Sequence, residues 1–299
     1  MRTITWKVPA DAEGREIKRF LSQYKDVSRR VWKKIDTLPL YINGEQARGN
    51  DRLNAGDELQ ISIPSGTVPA HFKESREQLE VLYEDEDVIV VNKPAGLPTL
   101  PGRAVGEESL AGRLAGYLRS KNIHSAIHPV SRLDRGTSGI VPFACHAYAH
   151  SRMEKHMDAG SRKEYIGMVE GRWPQEFTYI DVPIRPSTES LVEQIAAPDG
   201  KRAVTTAEVI EALPEHTVLK FGLKTGRTHQ IRVHASASGF PLAGDTLYGN
   251  ENEYLKRQAL HACRLDFFHP VQETMITVTA PLPEDINDFL ASQRLKVFK

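Results

Sequence analysis

The chain has 299 residues, of which 40% are hydrophobic and 26% charged, and its formal net charge is zero. These values predict a large globular domain plus a small one, and they exclude attraction of a polyanion by net charge alone. The chain has neither an apolar run that could span a bilayer nor a secretory signal, and its two cysteines have no zinc spacing. We therefore expect a cytoplasmic protein without a membrane segment.

The first segment predicts a small basic module. Apolar residues at positions 17, 20, 21 and 24 form the stripe of an amphipathic helix, and Ser28 can cap a second short helix. An extended piece, an Asn43-Gly44 turn and a strand over 58–63 follow. Residues 15–34 carry eight basic side chains against two acidic ones, and the second helix holds four of the eight: Arg29, Arg30, Lys33 and Lys34.

Over about residues 12–64 this segment resembles the S-four-type (alpha-L) RNA-binding module, especially in SRRVWKKI, YINGE and LNAGDELQI. The resemblance implies that residues 1–64 form a small α+β domain whose four clustered basic side chains bind RNA. The alternative is a solvated charged face. Residues 65–78 are rich in proline, glycine and small polar residues and predict a linker, which leaves residues 79–299 for the second domain.

The second domain alternates irregularly between strands and helices. Two short strands between 81 and 92, a helix over 109–119, a strand over 139–143 and a helix near 147–157 are predicted in this order. Strands predominate from 162 to 279, a helix at 228–238 interrupts them, and a helix at 284–293 follows. Such a succession predicts an α+β fold with a mixed, largely antiparallel central sheet and flanking helices.

The stretch HPVSRLDRGTSGIVPFA, residues 128–144, carries the strongest chemical signal. Asp134 lies between Arg132 and Arg135 and precedes a turn formed by Gly136, Thr137, Ser138 and Gly139. A turn bounded by glycines can hold a carboxylate at a rigid, exposed position before a strand. Positive charge on both sides suits a reacting carboxylate that meets a polyanionic substrate. Thr137, Ser138 and Gly139 are expected to support this turn.

Three motifs in chain order, VVNKPAG, SRLDRGTSG and TGRTHQIRVH, together resemble pseudouridine synthases of the RluA type over about residues 80–280. The resemblance implies an enzyme that, without a cofactor, breaks the glycosidic bond of a uridine in RNA, rotates the uracil and rejoins it through carbon 5. It implies that Asp134 is the catalytic aspartate, Tyr165 the tyrosine beneath the base and Arg227 the arginine paired with Asp134. It also implies that Arg132 fills the stack that a flipped base vacates, with a phosphate contact as the alternative.

These residue types fit the reaction. Uracil is a poor leaving group and the sugar carbon gains positive charge, so the carboxylate must stay ionised. A guanidinium such as that of Arg227 favours the ionised form and orients it. Tyr165 is expected to stack on uracil, and both the proton transfer from carbon 5 and the exact attack by Asp134 stay open. Ser131 stands where the family usually has histidine, which puts the contact of that imidazole in doubt.

The helix after TGR is predicted to support the site rather than to perform chemistry. Thr228 is expected to cap this helix, Ile231 to pack it down, and His229 and Arg232 to hold the loop. The segment PLAGDTLYG, residues 241–249, also matches the family and is expected to support the active site.

Two further cations are predicted near the site. Lys93 in the NKPAG motif is expected first to pair structurally with an acid, and it is also counted in the RNA-binding set because it can alternatively reach an RNA phosphate. Arg135 is assigned a general charge role toward RNA.

Competing functions have weaker support. His146 and His150 have a spacing that can bind zinc, but no HExxH glutamate or cysteine cluster accompanies them, so we expect exposed helical histidines and no metal. TSG at 137–139 is not the GxSxG elbow of serine hydrolases. The remaining rival is a non-catalytic RNA-binding or ribosome-assembly protein. We expect a monomeric enzyme acting on large-subunit ribosomal RNA, with transfer RNA as the alternative substrate.

Overall fold

The computed structural model describes residues 1–64, 66–68, 72–102, 107–159 and 161–295, so positions 65 and 69–71 of the predicted linker and 296–299 of the second domain lie outside the described residues. The helices are α1 (Ile17–Tyr24), α2 (Arg29–Ile35), α3 (Leu110–Ser120), α4 (Ala147–Ala159), α5 (Gln230–Ala237) and α6 (Glu284–Leu295). The strands are β1 (Arg2–Lys7), β2 (Leu40–Ile42), β3 (Glu45–Ala47), β4 (Glu58–Ile63), β5 (Glu80–Glu84), β6 (Val88–Lys93), β7 (His128–Pro129), β8 (Ser138–Ala144), β9 (Arg162–Glu170), β10 (Tyr179–Asp181), β11 (Ile184–Pro186), β12 (Gln194–Ala196), β13 (Val204–Ala212), β14 (His216–Leu223), β15 (Leu260–Phe268) and β16 (Met275–Thr279). Within these ranges, no helix is both long enough and apolar enough to cross a membrane.

The N-terminal module packs α1 and α2 against a four-stranded antiparallel sheet in the order β1-β4-β2-β3. In the predicted apolar stripe of α1, Ile17, Phe20 and Leu21 are buried and Tyr24 is half-buried. The Ser28 hydroxyl accepts a hydrogen bond from the N–H of Val31 at the start of α2, as predicted. Sequence analysis missed β1. This strand pairs along its whole length with β4 at the far end of the module, and its sequence alternates exposed residues with the buried Ile4 and Trp6, a strand pattern that the prediction did not use.

The second domain is built on one mixed sheet. Ten strands of the described ranges join in it, eight in the order β10-β13-β14-β9-β15-β8-β6-β5, with β16 beside β15 and β7 beside β8. Among these pairings, only β15 with β8 is parallel. The predicted α+β fold with a mixed, largely antiparallel sheet is therefore confirmed. The short hairpin of β11 and β12 was not predicted.

Helices cover both faces of this sheet. Successive residues of a strand point to opposite faces, and the apolar run in β6 is buried on both. Ile89 and Val91 pack in one cluster with α3, whereas Val88 and Val90 pack in another with α4. The two layers hold the sheet rigidly and so fix the loops that carry the site.

The N-terminal module docks on α4 of the second domain. Tyr148 of α4 is fully buried in the core of the module, with its ring edge-on to Trp6 at 5.8 Å between centroids. Its hydroxyl donates to the carbonyl of Lys25. Arg2 donates two hydrogen bonds to the carboxylate of Asp87, at 2.9 and 3.1 Å. An aromatic anchor and a bidentate ion pair therefore join the module to the second domain.

The described part of the predicted linker, residues 65–78, also packs on the second domain. Phe72 is buried in the cluster that includes α3. The carbonyl oxygen of Ser75 approaches α3 so closely that a Cβ at Gly116 would lie 1.9 Å from it. Gly116 is therefore required for this contact. The boundaries at 64 and 79 stay a prediction.

Candidate active site

Asp134 lies in a cavity of about 720 Å³, where the loop before β8 meets β9, the end of β14 and the start of α5. Most of the site residues predicted from three distant motifs line it: Arg132, Asp134, Arg135, Thr137, Tyr165, Arg227, Thr228, His229, Ile231 and Arg232. Other predicted residues do not belong to the lining: Lys93, Ser138, Gly139, Arg29, Arg30, Lys33 and Lys34. The cavity is of the size that proteins use for small ligands.

The turn that carries Asp134 is pinned through its backbone. The N–H of Thr137 donates to the Asp134 carbonyl at 3.1 Å. The Thr99 hydroxyl donates to the carbonyl of Leu133 and accepts from its N–H, at 3.0 and 3.1 Å. Arg257 donates to a carbonyl of the same turn at 3.1 Å. Sequence analysis does not identify Thr99 or Arg257, because both lie far from the turn along the chain.

Thr137, Ser138 and Gly139 support the turn as predicted. The Thr137 hydroxyl accepts from the side-chain amide of Gln258 at 3.0 Å, and the Ser138 hydroxyl lies 2.9 Å from Nδ1 of His261. Gly139 has a φ of +112°, and a Cβ there would lie 2.2 Å from a carbonyl oxygen of β15. Only glycine fits at this position.

The guanidinium beside Asp134 belongs to Arg232. Its Nη1 lies 3.4 Å from Oδ2 of Asp134, and its Nε and Nη2 donate to the buried carboxylate of Asp245 at 2.7 and 2.8 Å. Arg227 is exposed and donates from Nε to the carbonyl of Arg202 at 3.0 Å. The predicted Arg227–Asp134 pair is therefore wrong, as is the purely loop-holding role of Arg232. The reason is that α5 starts beyond Arg227, so only Arg232 projects from its first turn.

The start of α5 also differs from the prediction. Thr228 is not the cap; His229 occupies the N-cap position with a φ of +56° and makes no capping hydrogen bond with its side chain. The side-chain oxygen of Gln230 instead accepts from the Thr225 hydroxyl at 2.8 Å. Ile231 is buried and packs the helix down as predicted.

His229 contacts the carboxylate of Asp134 from the other side. Its Nε2 lies 3.7 Å from Oδ1 of Asp134, and its Nδ1 lies 2.8 Å from the Tyr248 hydroxyl. Burial lowers the pKa of His229, against the opposing charge of Asp134. The ring is therefore neutral near pH 7. Tyr248 and Asp245 both come from residues 241–249, so this segment supports the site as predicted.

Tyr165 lies on β9 between Phe221 of β14 and Ala262 of β15, and only 9% of it is exposed. Burial, with the charge of Asp134 as the second cause, raises the pKa of Tyr165, so the phenol stays protonated. A protonated phenol can stack on a base or donate a hydrogen bond, and it is a poor proton acceptor.

Comparison with known proteins assigns this arrangement to a family. A family model described as RNA pseudouridylate synthase matches residues 87–237. The chain is 37% identical over 255 residues to the uncharacterized RNA pseudouridine synthase YjbO of Bacillus subtilis, which covers 85% of this chain and 90% of that protein. The chain belongs to the RNA pseudouridylate synthase family. It is an enzyme that forms pseudouridine in RNA.

Two further relatives of the synthase span most of its length. Ribosomal large subunit pseudouridine synthase D of Xanthomonas campestris is 33% identical over 306 residues, covering 96% of this chain and 91% of that one. The solved structure titled Human RNA Pseudouridylate Synthase Domain Containing 1 has a TM-score of 0.58 at 24% identity, covering 74% of this chain and 96% of that one. The similarity to this human structure shows that the two proteins share a fold.

Lys93 of the synthase supports the turn that carries Asp134 from the protein interior. It is fully buried, and its Nζ donates to the carbonyls of Pro94, Leu97 and Arg135 at 2.9, 2.7 and 3.0 Å. Burial, followed by the charge of Arg257, lowers the pKa of Lys93 to about 7. A fully buried ammonium cannot reach an RNA phosphate, so the inclusion of Lys93 in the RNA-binding set is wrong; its preferred structural role agrees with the structure, but its partners are backbone carbonyls rather than an acid.

The other basic residues predicted to bind RNA are exposed. Arg132 lines the cavity and, within the described ranges, makes no ion pair. Arg135 forms an ion pair with Glu107. The basic side chains of α2 all face solvent: Arg29, Arg30, Lys33 and Lys34.

The histidines of the rejected zinc hypothesis also differ from expectation. His146 is buried rather than exposed, and its Nε2 lies 2.8 Å from Oδ1 of Asp87. Near it, Asp85, Asp87 and His269 approach closely enough to share an ion. Each of these groups already has a protein partner, with His269 on Asp85 at 2.8 Å and Arg2 on Asp87. The cluster therefore holds the junction between the two domains.

Proposed function

We propose that this synthase isomerises uridines in large-subunit ribosomal RNA, with Asp134 as the reacting carboxylate. The observation that carries the proposal is the position of Asp134 in the cavity, between Arg232 and His229 and lined by the Tyr165 ring. A relative named for the large ribosomal subunit matches 96% of the chain, including the N-terminal module.

Each residue then has a defined task in the reaction. Arg232 orients the carboxylate of Asp134, which attacks or stabilises the nucleoside as the bond from the sugar to nitrogen 1 breaks. The uracil turns, carbon 5 bonds to the sugar, the proton leaves carbon 5, and nitrogen 1 gains a proton. Tyr165 holds the uracil by stacking, because its ring is flat and its phenol stays protonated.

Arg132 is proposed to replace the flipped base. Enzymes that act on a stacked base extrude it at a cost of a few kcal/mol, which a side chain entering the stack can offset. Arg132 is exposed at the cavity two residues before Asp134, and its guanidinium is not engaged in an ion pair within the described ranges. Ser131 beside it is too short to make the contact of an imidazole.

The N-terminal residues 1–64 are proposed to act as an S-four-type RNA-binding module. Lys33 and Lys34 of α2 share a cavity of about 430 Å³ with His128, and His128 begins the stretch that leads to Arg132. Burial, with nearby positive charge, lowers the pKa of His128 to about 4. The basic helix thus adjoins His128, at the start of the stretch that leads to Arg132 and Asp134, which supports one structured RNA contacting both regions.

A pseudouridine map of total RNA from cells with and without the gene tests the substrate. We expect one or more positions in large-subunit ribosomal RNA to lose pseudouridine and to regain it when the gene is restored. Loss confined to transfer RNA selects the alternative substrate. An unchanged map contradicts the proposal and favours the non-catalytic RNA-binding rival.

A further inference from the structure

We propose that His229 is a positioning residue whose Nε2–H is directed at the carboxylate of Asp134 by the Tyr248 hydroxyl. The proposal rests on the assignment of Asp134 as the reacting carboxylate. Its basis is a chain of three contacts that starts at the β11–β12 hairpin. The N–H of Gln194 lies 2.8 Å from the Tyr248 hydroxyl, this hydroxyl lies 2.8 Å from Nδ1 of His229, and Nε2 of His229 lies 3.7 Å from Asp134.

The first two contacts assign the tautomer of His229. The backbone N–H of Gln194 can only donate, so the Tyr248 oxygen accepts from it. The hydroxyl proton of Tyr248 then points to Nδ1 of His229, its one acceptor within the described ranges. A neutral imidazole carries a single proton, so an accepting Nδ1 leaves that proton on Nε2.

The third contact agrees with this assignment, but at 3.7 Å it is weaker than the contact with the Tyr248 hydroxyl at 2.8 Å. Nε2 of His229 faces a carboxylate, which attracts an N–H and repels a lone pair. Both ends of the ring therefore assign the proton to Nε2. Tautomers follow from the hydrogen-bond network in this way because hydrogens themselves are not observed.

The backbone of His229 is arranged for this contact. Its φ of +56° is uncommon for a residue other than glycine, and such strain persists where the surroundings impose it. The side chain makes no capping bond to α5 and is 15% exposed. Burial lowers the pKa of His229, while Asp134 and Asp245 oppose this and Arg232 adds to it. The ring is neutral and carries one proton, so the tautomer decides whether Nε2 can donate to Asp134.

Asp134 thereby faces one donor on each oxygen, Arg232 at Oδ2 and His229 at Oδ1. Both distances, 3.4 and 3.7 Å, are long for hydrogen bonds, and such contacts commonly tighten when substrate excludes water. A carboxylate held from both sides keeps one orientation toward the sugar. His229 acts on the reaction only through that orientation.

Nuclear magnetic resonance tests the tautomer without any RNA. In the full-length enzyme labelled with ¹⁵N-histidine, long-range ¹H–¹⁵N correlation at pH 8 separates protonated from unprotonated ring nitrogens. The His229 signal is the one missing in His229→Gln. We expect Nε2 protonated and Nδ1 unprotonated, and a protonated Nδ1 overturns the proposal. The result does not depend on which RNA is modified, so it is distinct from a failure of the proposed substrate.

Kinetics test the effect on Asp134. Tyr248→Phe keeps the ring that Arg232 contacts at 4.9 Å but frees Nδ1 of His229. The single-turnover rate at pH 8 should fall roughly 10- to 100-fold at unchanged RNA affinity. The matched control is Tyr254→Phe, at a side chain 65% exposed and outside the cavity lining, and its rate should equal that of wild type.

The pH dependence separates positioning from a structural defect. At a pH low enough to protonate His229 of Tyr248→Phe, the imidazolium carries protons on both nitrogens, so Nε2 can donate to Asp134. The ratio of the wild-type rate to the variant rate should therefore decrease toward 1. Asp134, Arg232 and Asp245 face His229 in both proteins, so the ratio isolates the hydroxyl. An unchanged rate at pH 8, or a ratio that stays constant over a pH range in which the ¹⁵N signals show His229 of the variant gaining its second proton, overturns the proposal.

Discussion

Replacing Arg232 by lysine separates two contacts that one guanidinium now makes. Arg232 donates to Asp245 at 2.7 and 2.8 Å and lies 3.4 Å from Asp134. An ammonium is a point charge and cannot serve both carboxylates in this geometry. The Asp245 side chain is fully buried and that of Asp134 is 26% exposed, so an unpaired Asp245 costs more and the lysine should stay with it.

The loss of the charged contact on Asp134 should remove about 1.5–3 kcal/mol, which corresponds to a rate roughly 10- to 150-fold lower. The reaction releases the hydrogen of carbon 5, so single-turnover release of tritium from RNA carrying 5-tritiated uridine measures it directly. The RNA dissociation constant, measured in parallel, should not change, because Arg232 is buried beneath the cavity surface.

Two arginine variants make the comparison decisive. Arg294→Lys is the matched control, since Arg294 pairs with Glu211 at the surface, and its rate should equal that of wild type. Arg227→Lys should slow the reaction less than Arg232→Lys does, because Arg227 contacts a carbonyl rather than Asp134. If Arg227→Lys is the more damaging of the two, the assignment of Arg232 is wrong.

Three further outcomes follow. Lys93→Met leaves three carbonyls without their donor and should lower the free energy of unfolding by about 2 kcal/mol at unchanged RNA affinity. Weaker RNA binding at unchanged stability would instead show that Lys93 contacts RNA. Burial lowers the pKa of His261 to about 4, so as the pH falls this side chain gains its proton in the unfolded chain before it does in the folded one. Between pH 7.5 and 5, the free energy of unfolding measured in urea should therefore fall by about 2 kcal/mol more for wild type than for His261→Gln. Equal decreases in the two proteins contradict this. Glutamine at the four basic positions of α2 should weaken RNA binding and flatten its salt dependence, and an unchanged salt slope argues against the module as an RNA anchor.

Much of the fold follows from local signals. The Ser28 cap and the Asn43-Gly44 turn, whose φ values are +50° and +84°, act over a few residues and are readable in the sequence. β1 and the β11–β12 hairpin depend on partners that the local pattern does not specify. The described linker residues pack on α3 through a close backbone approach, which composition alone does not reveal.

The active site likewise combines features that the local sequence predicts with features that depend on distant partners. Asp134, Tyr165 and the TGRTHQIRVH segment line one cavity, but the sequence motifs do not decide which arginine faces the carboxylate. That choice depends on the positive φ of His229, which starts α5 after Arg227. One of the three carbonyls that Lys93 binds, that of Arg135, comes from another motif, so the sequence around Lys93 does not reveal its full set of partners.

The central claim is that Asp134 is the reacting carboxylate of a pseudouridine synthase. Asp134→Asn keeps the shape of the side chain and removes its charge, so it tests this claim most directly. Tritium release and RNA affinity are measured on the same preparation with RNA that wild type modifies. We predict that binding stays nearly intact while pseudouridine formation is abolished. Product formed at the wild-type rate would contradict the account.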